Sequence, residues 1–297
     1  MLHVIDTRQL GRPHVIAATA LENADGLILF DTGPESTFEN IAAELLAIGA
    51  TTQDVRHVFL SHIHFDHAGA AWRFAELGAT VYVHPRGAPH LLDPSRLVES
   101  ATRIFGDDMK RLWGKFAPVP QDRLRILEDG ARVKIADLEV CVIETPGHAN
   151  HHHVYHWDDS LFGGDIAGVR IGGGPVIPPF VPPELDVERW LESIEKMRAL
   201  DVTNLYLPHF GEVTGAIAEH FDALEERVRR WSNWFRDRVR AGADEAQLVP
   251  AFAEYEADDL RAGGANETEV VDYEAADPSR MAVTAALRYW RKNQPTA

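Results

Sequence analysis

The stretch Ser61-His62-Ile63-His64-Phe65-Asp66-His67 places four side chains able to ligate a metal within six residues. Three imidazoles and a carboxylate in one loop would repel when protonated and cost too much to desolvate when bare, so a divalent cation is the natural compensation. The loop follows an apolar run, Val55, Val58, Phe59 and Leu60, that reads as a buried strand, and it precedes a helical pattern at Ala70, Ala71, Phe74 and Leu77. His62 and His64, two apart in extended chain, can project to one side, whereas Asp66 and His67 at a helix start point elsewhere. One loop can thus serve two adjacent metal positions.

The same device recurs along the chain. Asp31 ends the apolar run Gly26–Phe30, where it either caps the turn or supports a metal loop through hydrogen bonds. The run 138–144 leads into Thr145-Pro146-Gly147-His148, 160–164 into Asp165, and 204–207 into Pro208-His209. Each time a short apolar strand delivers a His or Asp to its C-terminal edge, so ligands distant in sequence could converge on one edge of the sheets. Gly147, directly before His148, is expected to let the backbone approach a metal closely.

Short strands at 3–6, 13–20 and 26–31 predict a first sheet, followed by a helix over 36–48 and a strand at 80–83. Residues 85–120 break the alternation with a helical insertion carrying Phe105, Met109, Leu112, Trp113 and Phe116, either packed on the core or forming a lid with Trp113 on the substrate side. Strands at 123–127, 131–135 and 138–144 begin a second sheet. The Gly- and Pro-rich segment 171–184 cannot be regular helix, and Val176, Ile177 and Phe180 would give it an apolar lip at the site. Helices are predicted over 213–240, 244–260 and 278–291, with Trp231 and Trp234 in core or dimer contacts and Gly263 to Glu274 as a linker. No internal repeat or low-complexity tract appears.

In order and spacing, Asp31, the HxHxDH run at 62–67, His148, Asp165 and His209 resemble the five motifs of the metallo-β-lactamase-fold hydrolases. The resemblance covers about residues 1–212 and implies an α/β fold, a four-layer αββα sandwich, here with a helical insertion and a helical C-terminal extension over 213–297. It implies that His62, His64 and His148 bind one metal, that Asp66, His67 and His209 bind the second, and that Asp165 bridges them, with Asp31 in support. Such donors suit two Zn²⁺, with Fe or Mn as alternatives. Ions roughly 3.5–4 Å apart can supply a hydroxide and stabilise an oxyanion, and Asp66 could orient or deprotonate the water. The stretch TPGHANHHH also resembles glyoxalase II-like members, where a second His follows the ligand. In strand alternation at most one side of His151 to His153 points inward, so His152 is either a supporting group or part of an exposed run.

Composition narrows the partners. With 29 basic and 46 acidic residues the net charge is −17, which disfavours nucleic acid and therefore the tRNA-processing branch of the resemblance. His64 stands where flavodiiron relatives carry Glu, which disfavours oxygen reduction. One cysteine excludes an intrachain disulfide framework, and Cys141 reads as a small buried hydrophobe. No leader pattern or span of roughly 18 apolar residues is present, so a cytoplasmic protein without membrane partners is expected. A homodimer is allowed. No clear basic anchor for a glutathione carboxylate stands out: Arg170 and Lys115 could serve, but both read as solvated charges. The expected function is dinuclear hydrolysis of an ester, thioester or lactone of a small-molecule substrate. The alternative is a mononuclear-iron persulfide dioxygenase using His62, His148 and Asp165; a phosphodiesterase or a non-catalytic metal module ranks lower.

Overall fold

In the computed structural model, which describes residues 1–293, two six-stranded sheets lie face to face. The first holds β1 (Leu2–Asp6), β2 (Ala17–Asn23), β3 (Gly26–Phe30), β4 (Val55–Phe59), β5 (Thr80–Val83) and β6 (Leu124–Ile126) in sequence order. The second holds β7 (Arg132–Ile135), β8 (Leu138–Glu144), β9 (His153–Trp157), β10 (Ser160–Phe162), β11 (Asn204–Leu207) and β12 (Gly211–Glu212). The strand at 124–126 pairs parallel with β5, Val81 opposite Leu124, so the second sheet starts at β7 and not at the predicted first strand of the trio.

Alternation along the central strands explains the layering. On β3, Ile28 and Phe30 face the second sheet, while Leu27 and Leu29 face away from it. The inter-sheet core is aromatic, with Phe30 stacked on Trp157 at 4.6 Å and Phe59 on Tyr82 at 4.3 Å. Outside the first sheet lie α1 (Phe38–Ala47), α2 (Phe65–Ala68), α3 (Ala71–Glu76) and α4 (Ala88–Leu92), with α5 (Ser95–Phe105) and α6 (Met109–Trp113) beyond them. Outside the second lie α7 (Val187–Arg198), α8 (Ile217–Arg240), α9 (Glu245–Ala262), α10 (Glu267–Ala276) and α11 (Ser279–Lys292). The result is the αββα sandwich. Val154, Leu161, Leu205 and Leu207 of the second sheet share one apolar cluster with Trp190 of α7, Phe221 and Trp231 of α8, Phe252 of α9 and Tyr289 of α11.

Several expectations are corrected. The second strand begins at Ala17, four residues later than predicted, because Pro13 to Ile16 form the turn whose carbonyls serve Thr7 and His209. Residues 263–274 are not a linker: Asn266 caps α10 by accepting from Thr268 and Glu269 N–H, Glu269 returns a bond to Asn266 N–H, and Tyr273 is fully buried. Helix α7, unassigned from sequence, is capped by Asp186 and inserts Trp190, Ile194 and Met197 at helical spacing. Cys141 is only half-buried, since Val140 and Val142 take the inward positions on β8. No helix among the described residues is long and apolar enough to cross a membrane.

Candidate metal centre

The C-terminal ends of β3, β4, β8, β10 and β11 meet at one edge, and the chain delivers there every residue the sequence nominates as a ligand. His64 caps α2 with extended backbone, so His62 and His64 leave the strand end on one side while Asp66 and His67 ride the first helical turn. Two groups of donor atoms result: His62, His64, His148 and Asp165, and Asp66, His67 and His209, each mutually within 4.8 Å. Asp165 faces both. Its Oδ2 lies 3.3 Å from Nε2 of His148 and of His67, and its Oδ1 lies 3.6 Å from Nε2 of His209.

The surroundings fix which nitrogen of each ring is free. Asp31 Oδ2 accepts from His67 Nδ1 at 2.8 Å, Pro179 O from His148 Nδ1 at 2.9 Å, and Val15 O from His209 Nδ1 at 2.8 Å. Ser61 Oγ donates to Asp31 at 2.7 Å and so accepts from His62 Nδ1 at 3.0 Å. Each of these four rings therefore commits its Nδ1 outward and turns its Nε2 inward. His62 Nε2 and His148 Nε2 both approach His64 Nδ1, at 2.8 and 3.1 Å. One proton on His64 can serve only one of them, which leaves a second pair of lone pairs in contact. His67 Nε2 and Asp165 Oδ1 are buried with no hydrogen-bond partner. Inward imidazole nitrogens crowded on one another and on an orphaned carboxylate oxygen suit metal cations.

Electrostatics divides the same residues. Burial and then the neighbouring imidazoles push His62 and His64 well below the usual histidine range. Burial opposes charge on His67 too, but Asp165, Asp66 and Asp31 outweigh it and push it well above that range. Burial also opposes charge on Asp66, yet His67 and His209 hold its carboxyl well below the usual carboxylate range. The three imidazoles of the first group are thus held neutral beside the Asp165 carboxylate, whereas in the second group a carboxylate faces imidazoles that favour charge.

Asp31 holds the loop together. Fully buried at φ 55°, a left-handed conformation that Asp adopts more readily than most residues, it accepts from Ser61 N, Ser61 Oγ and His67 Nδ1. His152 is buried against the ligand rings, 5.2 Å from His62, with Nδ1 bonded to Thr145 Oγ1 at 2.9 Å; a Cβ at Gly164 would meet its ring at 2.4 Å. The exposed-run alternative for this trio is overturned. All three side chains are largely or wholly covered, because residues 149–152 form a turn and strand alternation starts only at His153.

Three further residues are placed differently from expectation. Phe180 is fully buried against Trp190 at 5.5 Å and Trp231 at 6.2 Å, so it belongs to the core beneath His148 and not to an apolar lip; Val176 and Ile177 are buried with it. Trp113 is half-buried beside Phe65, the residue between His64 and Asp66, at 6.2 Å. Gly147 serves helix packing: a Cβ there would lie 2.4 Å from Trp190 Cα. Sequence reasoning missed Ser61, Thr145 and Trp190. Trp190 was detectable in the Asp186-capped pattern, but nothing local marks Ser61 as the link between Asp31 and His62. Among the ligands, His64 and Asp66 keep partial exposure, so the centre opens on their side.

Residues 11–209 match the model of the metallo-β-lactamase superfamily, and the chain belongs to that family. It is 30% identical over 167 residues to the metallo-β-lactamase fold-containing protein ST1585 of Sulfurisphaera tokodaii, covering 55% of this chain and 63% of that protein. It is 26% identical over 304 residues to the probable metallo-hydrolase YqjP of Bacillus subtilis, covering 92% and 90%. A hydroxyacylglutathione hydrolase of Aliivibrio fischeri is 28% identical over 174 residues, 55% of this chain and 63% of that protein. The structure of the metallo-β-lactamase family protein TTHA1429 from Thermus thermophilus superposes with a TM-score of 0.65 over 98% of this chain and 93% of that one, at 21% identity.

Proposed function

We propose that the protein is a dinuclear metal-dependent hydrolase that cleaves the ester, thioester or lactone bond of a small molecule, with Zn²⁺ as the expected metal. The observation that carries this reading is Asp165, whose two oxygens face ligands of both donor groups. When bound, a pair of divalent ions would supply water ionised near neutral pH and neutralise charge developing on a carbonyl oxygen. His62, His64 and His148 would hold one ion and Asp66, His67 and His209 the other, with Asp165 shared. Asp31, Ser61, Pro179 and Val15 hold the four rings with Nε2 turned inward, so the donors need no reorientation. Asp66, ionised and partly exposed at the opening, orients the attacking water and can take its proton.

A single-iron oxidation would need only His62, His148 and Asp165. The complete second set, with His67 pinned by a buried Asp31, supports two ions instead. An acyl substrate is supported by the hydroxyacylglutathione hydrolase among the relatives, and the charge of −17 disfavours polyanionic substrates. Metal analysis of protein purified without added metal tests the reading. Two zinc per chain, lost together with ester turnover in Asp165→Ala, is expected. One iron with oxygen consumption, or a phosphodiester as the best substrate by kcat/KM, would overturn it.

A further inference from the structure

Asp165 stands on the turn 164–168, and side chains from three separate elements hold the peptide groups of that turn. His152 Nε2 accepts from Ile166 N–H at 3.5 Å, Trp190 Nε1 donates to Ile166 O at 2.9 Å, and His220 Nε2 donates to Ala167 O at 2.8 Å. His152 directly precedes β9, Trp190 lies on α7 and His220 on α8. The backbone closes the turn from within, Gly168 N–H donating to Asp165 O at 2.9 Å. His152, itself fully buried, is also the surface on which the turn is seated. Gly164 has φ 53°, and a Cβ there would lie 2.4 Å from His152 Nε2 and 2.8 Å from Ser61 Cβ, so glycine is what lets the backbone rest on the imidazole. An accepting Nε2 requires the ring proton on Nδ1, where Thr145 Oγ1 receives it at 2.9 Å.

A carboxylate shared between two donor sets needs such a seat. Asp165 places Oδ2 3.3 Å from Nε2 of His67 and of His148, and Oδ1 3.6 Å from Nε2 of His209. Sites of this kind tolerate errors of only about 0.5 Å, so a small slide of the turn would take one oxygen out of step with one donor set. We propose that His152 is the positioning residue of this carboxylate: by accepting from Ile166 N–H it fixes where Asp165 stands between the two donor sets, while Trp190 and His220 stop the turn from rotating about that contact. The bridging part of this statement rests on the two-ion reading; the seating of the turn does not. Trp190 ties the turn to another candidate ligand as well, its ring meeting His148 edge-on at 5.7 Å. Through His220, a residue beyond the stretch 11–209 that carries the family match acts on a candidate ligand inside it.

The test compares His152→Gln, His152→Asn and His152→Ala. The Gln side chain can set an amide oxygen near the place of Nε2 and keep an acceptor for Ile166 N–H, the Asn side chain can reach Thr145 Oγ1 but not Ile166, and Ala keeps neither contact. Metal-free protein is titrated with Co²⁺, followed by the visible absorption of the bound ion and by chelator competition, and the urea midpoint of each metal-free variant is recorded. The parent is expected to take up two ions per chain. His152→Gln should hold them within about threefold of the parent, whereas His152→Asn and His152→Ala should lose roughly 10–100-fold in affinity, with no matching gap in urea midpoint between the Gln and Asn forms. Equal affinities for the Gln and Asn forms, or affinities that follow the urea midpoint across all three, would overturn the assignment and leave His152 as packing alone. One ion in the parent would remove the two-ion reading, and the same comparison would still decide the assignment, because Asp165 belongs to the first donor set as well.

Discussion

Helices α5 and α8 both carry an apolar stripe, yet α5 buries only Ala101 and leaves Ile104 half-exposed, whereas α8 buries nine residues, among them Phe221, Leu224, Trp231 and Phe235. Trp231 of α8 and Trp113 of α6, whose ring meets Phe105 of α5, show the difference at atomic scale. Trp231 is fully buried, donates from Nε1 to Asp259 at 3.2 Å and meets Phe252 edge-on at 5.0 Å. Trp113 is half-buried between Phe65 and Phe105, its indole nitrogen without a partner. The cause lies in what each helix finds beneath it. The first sheet is already covered by α1, α3 and α4 when α5 is laid on top, while the second sheet has an open face that α7, α8, α9 and α11 must close. Periodicity specifies an apolar face; the rest of the fold decides whether anything meets it.

The contrast can be broken at its strong end first. Trp231→Ala should cost about 3–5 kcal/mol, the loss of a large buried side chain, read as a lower urea midpoint at unchanged slope; a loss under about 1 kcal/mol would mean that α8 is not part of the cooperative core. His220 on α8 donates to Ala167 O at 2.8 Å, and burial pushes its pKa down to about 4. Because the folded value lies below the unfolded one, near 6.5, the folded state binds protons less readily. Stability is intact above pH 6.5 and falls as pH drops toward 4, by on the order of 3 kcal/mol in full. Unfolding at pH 7 and pH 4.5 should show a shallower loss in His220→Gln than in the parent, and parallel losses would refute the assignment. Smaller still, Asn266→Ala removes the cap of α10 and should cost about 1 kcal/mol; an unchanged melting temperature would contradict the cap. At the weak end, Trp113→Ala should cost under about 1 kcal/mol while raising KM through its neighbour Phe65. A melting drop like that of Trp231→Ala, with KM unmoved, would return Trp113 to the core.

The same contrast explains what could be read from the sequence. Candidate ligands announce themselves because few other uses exist for HxHxDH, and strand ends place them, so the cluster of candidate ligands was legible, with Asp31 as a hydrogen-bond partner of their loop. Residues defined by a distant partner were not. Gly147 answers to Trp190, forty-three positions on, and Gly164 to the ring of His152. Phe180 looked like a lip because its Pro-rich surroundings exclude helix, but a segment without regular structure can still lie under one. Helix α10 escaped because Tyr273 is its one buried side chain, so no apolar period marks it. The strand at 124–126 carries nothing local to say which sheet it will join.

Tyr273 also ties α10 to a distant loop: its hydroxyl accepts from Ile171 N at 2.9 Å and donates to Pro175 O at 2.6 Å, in the stretch that follows Asp165. With Leu161, Leu205 and Leu207 roofed only by helices, a fragment stopped at residue 212 would keep every candidate ligand and still display a sheet face covered by α7 alone. Such a face invites self-association. The stretch that carries the family's motifs is therefore not expected to fold autonomously: expressed alone it should aggregate, and co-expression with residues 213–297 as a separate chain should rescue its solubility.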